Sequence, residues 1–315
     1  MNNLKKVGLT ALAGALVSVS ANAADLSVTG GASLAFAGEE KQSTGNGWSM
    51  NNGVTFKASV EQDNGMVVTV TQILNDDDVG SSRVFDTRSI AIDMGDTGTL
   101  TFYGTGGSGA VSAIDDVTPT AGEESWDDVT GADSVPGGPT GNNMFHYSNS
   151  SLMDGITLTA SYTPSDGTTE LESSSDYAVK YTGIEGLTVG AGIGEDNSAA
   201  ATIDSSVFYA TYATDMGISV GYSTSENDSE TANSDKEMTA MGISYAVSED
   251  MSISYNISEI EYELASLTDQ EATGISVSYT MGSLSIKANH NTVDNIAGTS
   301  TDDRSGYALS LGFTF

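Results

Sequence analysis

The last nine residues of the chain alternate without a break. Tyr307, Leu309, Leu311, Phe313 and Phe315 occupy the odd positions and Ala308, Ser310, Gly312 and Thr314 the even ones. A strand turns successive side chains to opposite faces, so this stretch has one apolar face with aromatics at both ends and one face that water tolerates. The phase recurs along the whole chain. Leu26, Val28, Leu34 and Phe36 begin it, and Val54, Phe56, Ala58 and Val60 follow; Ile156, Leu158, Ala160 and Tyr162 or Met251, Ile253, Tyr255 and Ile257 repeat it later. The stretch from Met66 to Leu74 is less regular. The segments number sixteen. A soluble, half-buried strand looks the same in isolation, so it is the repetition that constrains the fold.

A longer period lies over the short one. Tyr147, Tyr181, Tyr212, Tyr245, Tyr279 and Phe315 stand at strand ends with spacings of 34, 31, 33, 34 and 36 residues. Tight turns and apolar restarts follow the first five, as in Gly155-Ile156, Gly186-Leu187 and Gly217-Ile218. Each repeat holds two strands, one short turn and one longer polar loop, such as Ser223 to Asp235 or Asn289 to Asp303. Short turns at one rim and long loops at the other are the asymmetry of an outer-membrane barrel. Sixteen strands of about ten residues need roughly 160 residues, which leaves ample chain for connections. In lipid every backbone N–H and C=O must be satisfied within the protein, so a strand-only chain crosses a bilayer as a closed ring. The expectation is therefore an all-β, 16-stranded antiparallel transmembrane β-barrel. A secreted β-sandwich or solenoid is the alternative, but sandwiches rarely reach sixteen strands, and neither predicts an aromatic at one rim of each hairpin.

The amino terminus carries a separate message. Lys5 and Lys6 precede an apolar run from Val7 to Val19 and then Ala21-Asn22-Ala23, the pattern of a secretory signal cleaved after Ala23. The run is too short for a helix that spans a bilayer, which needs about 20 residues. Residues 24–315 then form the barrel. With both signal lysines gone, 8 basic residues face 43 acidic ones, a net charge near −35. That balance excludes nucleic acid as a partner, because binding it requires a basic surface. The chain has no cysteine, hence no disulfide, thiolate nucleophile or zinc–thiolate site.

Phase also sorts the charges. Lys57, Lys180 and Lys287 each stand between two apolar residues of the outward phase, and so point to the other face, as does His146. A lysine facing lipid at mid-membrane costs about 2–4 kcal/mol in such a barrel, so inward placement is the stable one. Arg88 is in step with Ile90 and belongs at a rim or a subunit contact; the direction of Arg83 is open. Between Gly104 and Asn142 the alternation stops for 39 residues, far longer than an ordinary connection. This segment holds Asp115, Asp116, Glu123, Glu124, Asp127, Asp128 and Asp133 and no Lys, Arg or His, with Ile114 and Trp126 as apolar residues able to pack. One reading is a solvated external loop. The other folds it into the lumen, where its acids face wall residues such as Lys57 and Lys180 and narrow the bore; rings of carboxylates favour cations.

The strand Gly98 to Phe102 running into Gly104, the acidic segment with Ala113-Ile114-Asp115-Asp116, the strand Asn143 to Ser148, the tyrosine–turn–glycine restarts and the terminal Phe315 together resemble the general porins of Gram-negative bacteria. The likeness covers essentially all of residues 24–315. It implies a homotrimer of 16-stranded barrels surrounded by outer-membrane lipid, with the third loop, residues 104–142, as a constriction. It further implies assembly by the barrel machinery through the terminal strand and Phe315. Porins of this family commonly oppose the acidic loop with an arginine-rich wall; this chain has three arginines in all.

Other motifs are weak. Asn75 to Asp78 and the acids from Asn227 to Asp235 lack the ligand spacing and glycine of a dedicated calcium loop, so calcium would be held loosely if at all, and no other cofactor is expected. His146 and His290 are too far apart in sequence to suggest a metal pair, and no Ser-His-Asp set follows from spacing. Gly190, Gly192 and Gly194 fit a crowded barrel wall rather than a phosphate cradle. The sequence thus points to a passive channel for small hydrophilic solutes and ions with a cation preference. A barrel enzyme relying on His146 or His290, or a structural or adhesive barrel with a blocked lumen, are the readings it competes with.

Overall fold

The computed structural model describes residues 24–41, 47–75, 86–167, 171–198 and 201–315. The signal segment 1–23, Arg83 and the acids Asp76, Asp77 and Asp78 lie outside the described residues. The first eight strands are β1 (Asp25–Glu39), β2 (Trp48–Glu61), β3 (Val67–Asn75), β4 (Thr87–Asp93), β5 (Thr99–Thr105), β6 (Met144–Met153), β7 (Ile156–Thr163) and β8 (Ser174–Ile184). They continue as β9 (Leu187–Asp196), β10 (Ile203–Ala213), β11 (Ile218–Ser229), β12 (Lys236–Ala246), β13 (Met251–Tyr262), β14 (Gln270–Met281), β15 (Leu284–Asp294) and β16 (Arg304–Thr314). Each strand pairs with the next, and β16 pairs antiparallel with β1, which closes the sheet into a sixteen-stranded barrel. No helix among the described residues is long and apolar enough to cross a membrane.

Period two is realised as an apolar exterior. Leu26, Val28, Ile193, Ile243, Tyr255, Ile275, Leu309 and Phe313 are all exposed on the outer face, although each lies within a regular ladder. The aromatic residues near the short-turn rim sit in register: Tyr245 pairs with Ile218 and Ile253, and Tyr279 with Met251 and Ile286. Phe315 closes the seam, exchanging backbone hydrogen bonds with Gly30 (2.8 and 2.9 Å). The restart glycines Gly155, Gly186 and Gly217 have φ of +71°, +75° and +78°, the left-handed geometry that short hairpin turns demand and side chains disfavour.

Two expectations need correction. First, the polar loops are shorter than their composition suggests: β11 runs to Ser229 and β15 to Asp294, leaving 230–235 and 295–303 as connections. Above the lipid boundary a strand needs no apolar outer face, so the ladder continues through Glu226 opposite Glu237 and Asn227 opposite Lys236. The less regular stretch, already one of the sixteen segments, is strand β3, in which Gln72 takes an outward position opposite Phe56 and Arg88. Arg88 accordingly lies on the outer face near the long-loop rim. Second, the face opposite lipid is not uniformly polar. Met238, Ala240, Ile260, Ala272 and Val293 occupy inward positions and are buried, because the loop between β5 and β6 packs on them.

Candidate functional site

The connection between β5 and β6 begins with a two-residue ladder, Gly107–Ser108 against Thr140–Gly141, and then runs along the inner wall. Two apolar clusters hold it there. Near its base, Ala110, Val111 and Ile114 pack on Ala178, Val207 and Tyr209. Further along, Trp126 and Val129 pack on Met238, Ile260, Ala272 and Val293. Trp126 is 7% exposed, and burying a side chain of that size contributes several kcal/mol through the apolar area it removes from water.

Polar pins complete the docking. At the base, Val111 N–H donates to Asp176 Oδ2 (2.8 Å), and Ser161 Oγ also donates to Asp176. Midway, Asn256 Nδ2 donates to Pro119 O (3.0 Å) and the Ala121 N–H to Ser254 Oγ (2.8 Å). At the acidic turn, Asn291 Nδ2 donates to both Glu124 O (2.7 Å) and Asp127 O (2.8 Å). On the return, Thr130 N–H donates to Glu39 Oε2 (3.2 Å), and Gln270 brackets Asp133 by accepting its N–H and donating to its carbonyl, both at 2.9 Å. The loop thus spans the inner wall from β7 around to β1, while the inward faces of β2 to β5 stand opposite. Those faces offer mainly hydroxyls, including Thr55, Ser59, Thr69, Thr71, Ser89 and Thr101, with Lys57 as their one cation among the described residues.

The seven loop acids do not form one ring. Glu123, Glu124 and Asp127 converge, with carboxylate oxygens within 4.8 Å of one another; among the described residues they are the set whose donors are close enough to share a cation. Burial pushes Glu124 up to about 8, helped by the charge of Asp116 and its contact with Asp127. Asp115 is buried between the two legs of the loop and is pushed up to about 7 by that burial and by Asp116. Asp116 reaches solvent and is raised less, to about 6, by partial desolvation and then by Asp127 and Glu123. Asp128 is raised by burial against an opposing hydrogen bond from Asn289. Asp133 stands apart, paired with Lys236 Nζ (2.7 Å) and accepting from Tyr262 Oη (2.9 Å).

The basic partners differ from those expected. Glu123 faces Lys287 (3.6 Å) and Asp133 faces Lys236, while no ion pair reaches Lys57 or Lys180 among the described residues. Lys180 lies on β8 four residues below the Asp176 pin, about 13 Å toward the short-turn rim, and Lys57 is on β2 across the bore from the docked loop. Lys236 was hidden because its surroundings read as loop. Arg304 was missed for the same reason: it is 8% exposed, pairs with Glu39 at 2.5 Å across the β1–β16 seam, and also reaches Asp302. Asp176, Gln270 and Asn291 have no signal in a lone sequence, since their role depends on what the loop brings to them.

His146 points inward and meets Tyr103 edge-on (6.4 Å between ring centroids). Register aligns it with Ser161 and, one strand further, with Asp176. The hydrogen bonds, however, run from Ser161 and Val111 to Asp176 beneath the loop, and none joins His146 to Ser161, so Ser161 and Asp176 anchor the loop and the three are not arranged as a nucleophile and base. His290 takes an outward position between Ile275 and Tyr307. The acids around Asn227 form no converging set among the described residues: Glu226 and Asp228 take outward positions on β11, Asp235 accepts from the Ser229 N–H (2.8 Å) and Glu230 from the Thr202 N–H (3.3 Å).

No curated protein matches the sequence. Among solved structures, the anion-selective porin from Comamonas acidovorans superposes with a TM-score of 0.71 at 11% identity, covering 93% of this chain and 100% of that one. In-vitro folded OmpT of Vibrio cholerae, an outer membrane protein in its trimer form, gives 0.67 at 14% identity over 93% and 99%. A triple mutant of the Rhodopseudomonas blastica porin gives 0.67 at 14% over 92% and 100%. Identities this low establish the shared barrel, and the function-bearing evidence is the sequence model of the Gram-negative porin family, which matches residues 8–315. A closed sixteen-stranded barrel, apolar outside and carrying a loop docked along its inner wall, agrees with that match: the chain is a member of the Gram-negative porin family, an outer-membrane channel protein.

Proposed function

We propose that the protein is a passive, cation-preferring channel through which small hydrophilic solutes and ions cross the outer membrane, with the loop of residues 104–142 as its constriction. The observation that carries this reading is the charge imbalance along the bore. Glu123, Asp127 and Asp116, joined by Glu124 as pH rises to about 8, face a wall of hydroxyls, and two lumenal cations near the loop, Lys236 and Lys287, are engaged by Asp133 and Glu123. Carboxylates lining a narrow bore favour cations. The Comamonas porin is described as anion-selective, so the shared fold leaves the sign of selectivity to each chain's own charges.

The proposal includes a homotrimer. The outward strand positions of β1 to β7 carry no carboxylate, whereas exposed Glu195, Asp204, Glu226, Asp228, Glu237 and Glu259 occupy outward positions near the long-loop rim of β9 to β13. A face free of carboxylates, on which Arg88 is the one outward strand charge among the described residues, suits contact with other copies, and the acidic one suits water and lipid headgroups. Export by the signal 1–23 and assembly through Phe315 belong to the same reading. Reconstitution in a planar bilayer tests it: conductance closing in three equal steps, with a reversal potential of cationic sign in a salt gradient, is the expected result. A silent bilayer from folded protein would favour a structural or adhesive barrel, and an anionic reversal potential would remove the role given to the loop acids.

A further inference from the structure

The inner wall carries one feature that the channel reading does not use. Gly221 on β11 is in register with Gly242 on β12, Gly242 with Asn256 on β13, and Asn256 with Gly274 on β14. Gly274 is in register with Asn291 on β15, and Asn291 with Gly306 on β16, which stands opposite Glu39 of β1. These residues form one unbroken cross-strand row, and its members meet consecutive parts of the loop. A Cβ on Gly242 would lie 2.7 Å from Pro119 O, one on Gly274 would lie 3.0 Å from Ser125 Cα, and one on Gly306 would collide with Asp128 O. Between the glycines, Asn256 reaches Pro119 O, Asn291 reaches Glu124 O and Asp127 O, and Glu39 accepts from Thr130 N–H.

We propose that this row is a seat that sets how far the loop stands into the bore, with Asn291 as the residue that positions the acidic turn 123–127. The proposal rests on the channel reading and adds wall residues that do not themselves face the bore. The chemistry specifies asparagine. Asn291 is fully buried and uses both hydrogens of one amide to hold two carbonyls. An aspartate of equal size would turn two acceptors onto those carbonyls and add a buried charge next to three carboxylates. Gly274 is equally constrained: its missing side chain is the space that Asn291 Oδ1 (2.5 Å from a would-be Cβ) and the Ser125 backbone occupy. A wall built this way holds the carboxylates at fixed depth because glycine admits the loop backbone and asparagine bonds to it.

The test uses single-channel recording of the full chain in planar bilayers, with heat-dependent gel mobility to establish that each barrel is folded. Asn291→Asp and Asn291→Ala release the turn, and about a tenfold rise in time spent at altered conductance levels is expected from the loss of two buried hydrogen bonds. Gly274→Ala pushes from behind the loop and should lower the main conductance level. Gly53→Ala, on an inward position of β2 where an added methyl meets only ordinary contacts at 3.4 Å or more, should record as the parent. Because the chain has no cysteine, Ser125→Cys with Ser258→Cys, whose hydroxyls are 2.9 Å apart, can tether the loop. Adding that disulfide to Asn291→Asp should restore the parent trace, and a reductant should abolish the rescue. Should Asn291→Asp fail to fold, Asn256→Ala, which removes one bond to Pro119 O, carries the same test with a smaller effect. Folded Asn291 and Asn256 variants with parental conductance and reversal potential would overturn the proposal while leaving the channel intact; a silent parent would instead overturn the channel reading.

Discussion

Arg304→Met is the substitution whose cost can be worked furthest from the structure. Arg304 Nη1 lies 2.5 Å from Glu39 Oε1 across the seam where the first and last strands meet, and the two side chains are 8% and 3% exposed. Removing the guanidinium leaves the Glu39 carboxylate buried with only the Thr130 N–H at 3.2 Å. Breaking a buried pair from one side costs about 3–5 kcal/mol, because the remaining charge is uncompensated. Glu39→Gln should cost less, about 1–3 kcal/mol, since Arg304 retains Asp302 at 3.1 Å. The double variant Glu39→Leu/Arg304→Met removes both charges and should recover much of the loss, with a coupling energy of about 1–3 kcal/mol. Urea unfolding of barrels refolded in lipid vesicles provides the measurement, followed by tryptophan fluorescence with Trp48→Phe as background so that the buried Trp126 reports on the loop. If the double variant is no more stable to urea than Arg304→Met, the carboxylate left behind at Glu39 carries no buried-charge cost and the reasoning fails.

Three further outcomes follow from the same geometry. The raised positions of Asp115, Asp116 and Glu124, at about 7, about 6 and about 8, mean that the folded loop holds protons the unfolded chain has already released. Their contribution to loop docking is therefore greatest below the ordinary carboxylate range near pH 4 and is lost as pH rises to about 8. Over the upper part of that window the same acids ionise, so the cation-to-anion permeability ratio should climb between about pH 6 and about pH 8; a flat profile would show that these groups lie outside the conduction path. Trp126→Ala should destabilise the docked loop by about 3–5 kcal/mol, detectable as faster proteolysis within 104–142 while the barrel still migrates as folded. Lys287→Gln frees Glu123 from its 3.6 Å partner, and the reversal potential should move further in the cationic direction; movement the other way would mean that Glu123 does not face the conducting path.

Strand phase was legible from the chain alone because it depends on local chemistry. Lipid admits only apolar side chains on one face, so Tyr255, Ile243 and Leu309 had to share it, and Lys57, Lys180 and Lys287 had to take the other. The glycine restarts and the closing Phe315 were readable for the same reason. Alternation faded where strands rise above the lipid, and Lys236 and Arg304 were lost with it: water tolerates either face there, so composition no longer marks the ladder.

What the bore contains was a matter for tertiary structure. The acids of residues 104–142 were visible, but not their division into the cluster of Glu123, Glu124 and Asp127, the Lys236-bound Asp133 and the buried Asp115, because nothing local ties a loop to a wall a hundred residues away. The partners that hold it, from Asp176 on β8 to Asn291 on β15 and Glu39 on β1, come together only once every strand register is set and the barrel has closed. Periodicity in one chain specifies which way a side chain points. Which side chains it then meets across the lumen is decided by the sum of sixteen registers, and no stretch of the sequence contains that sum.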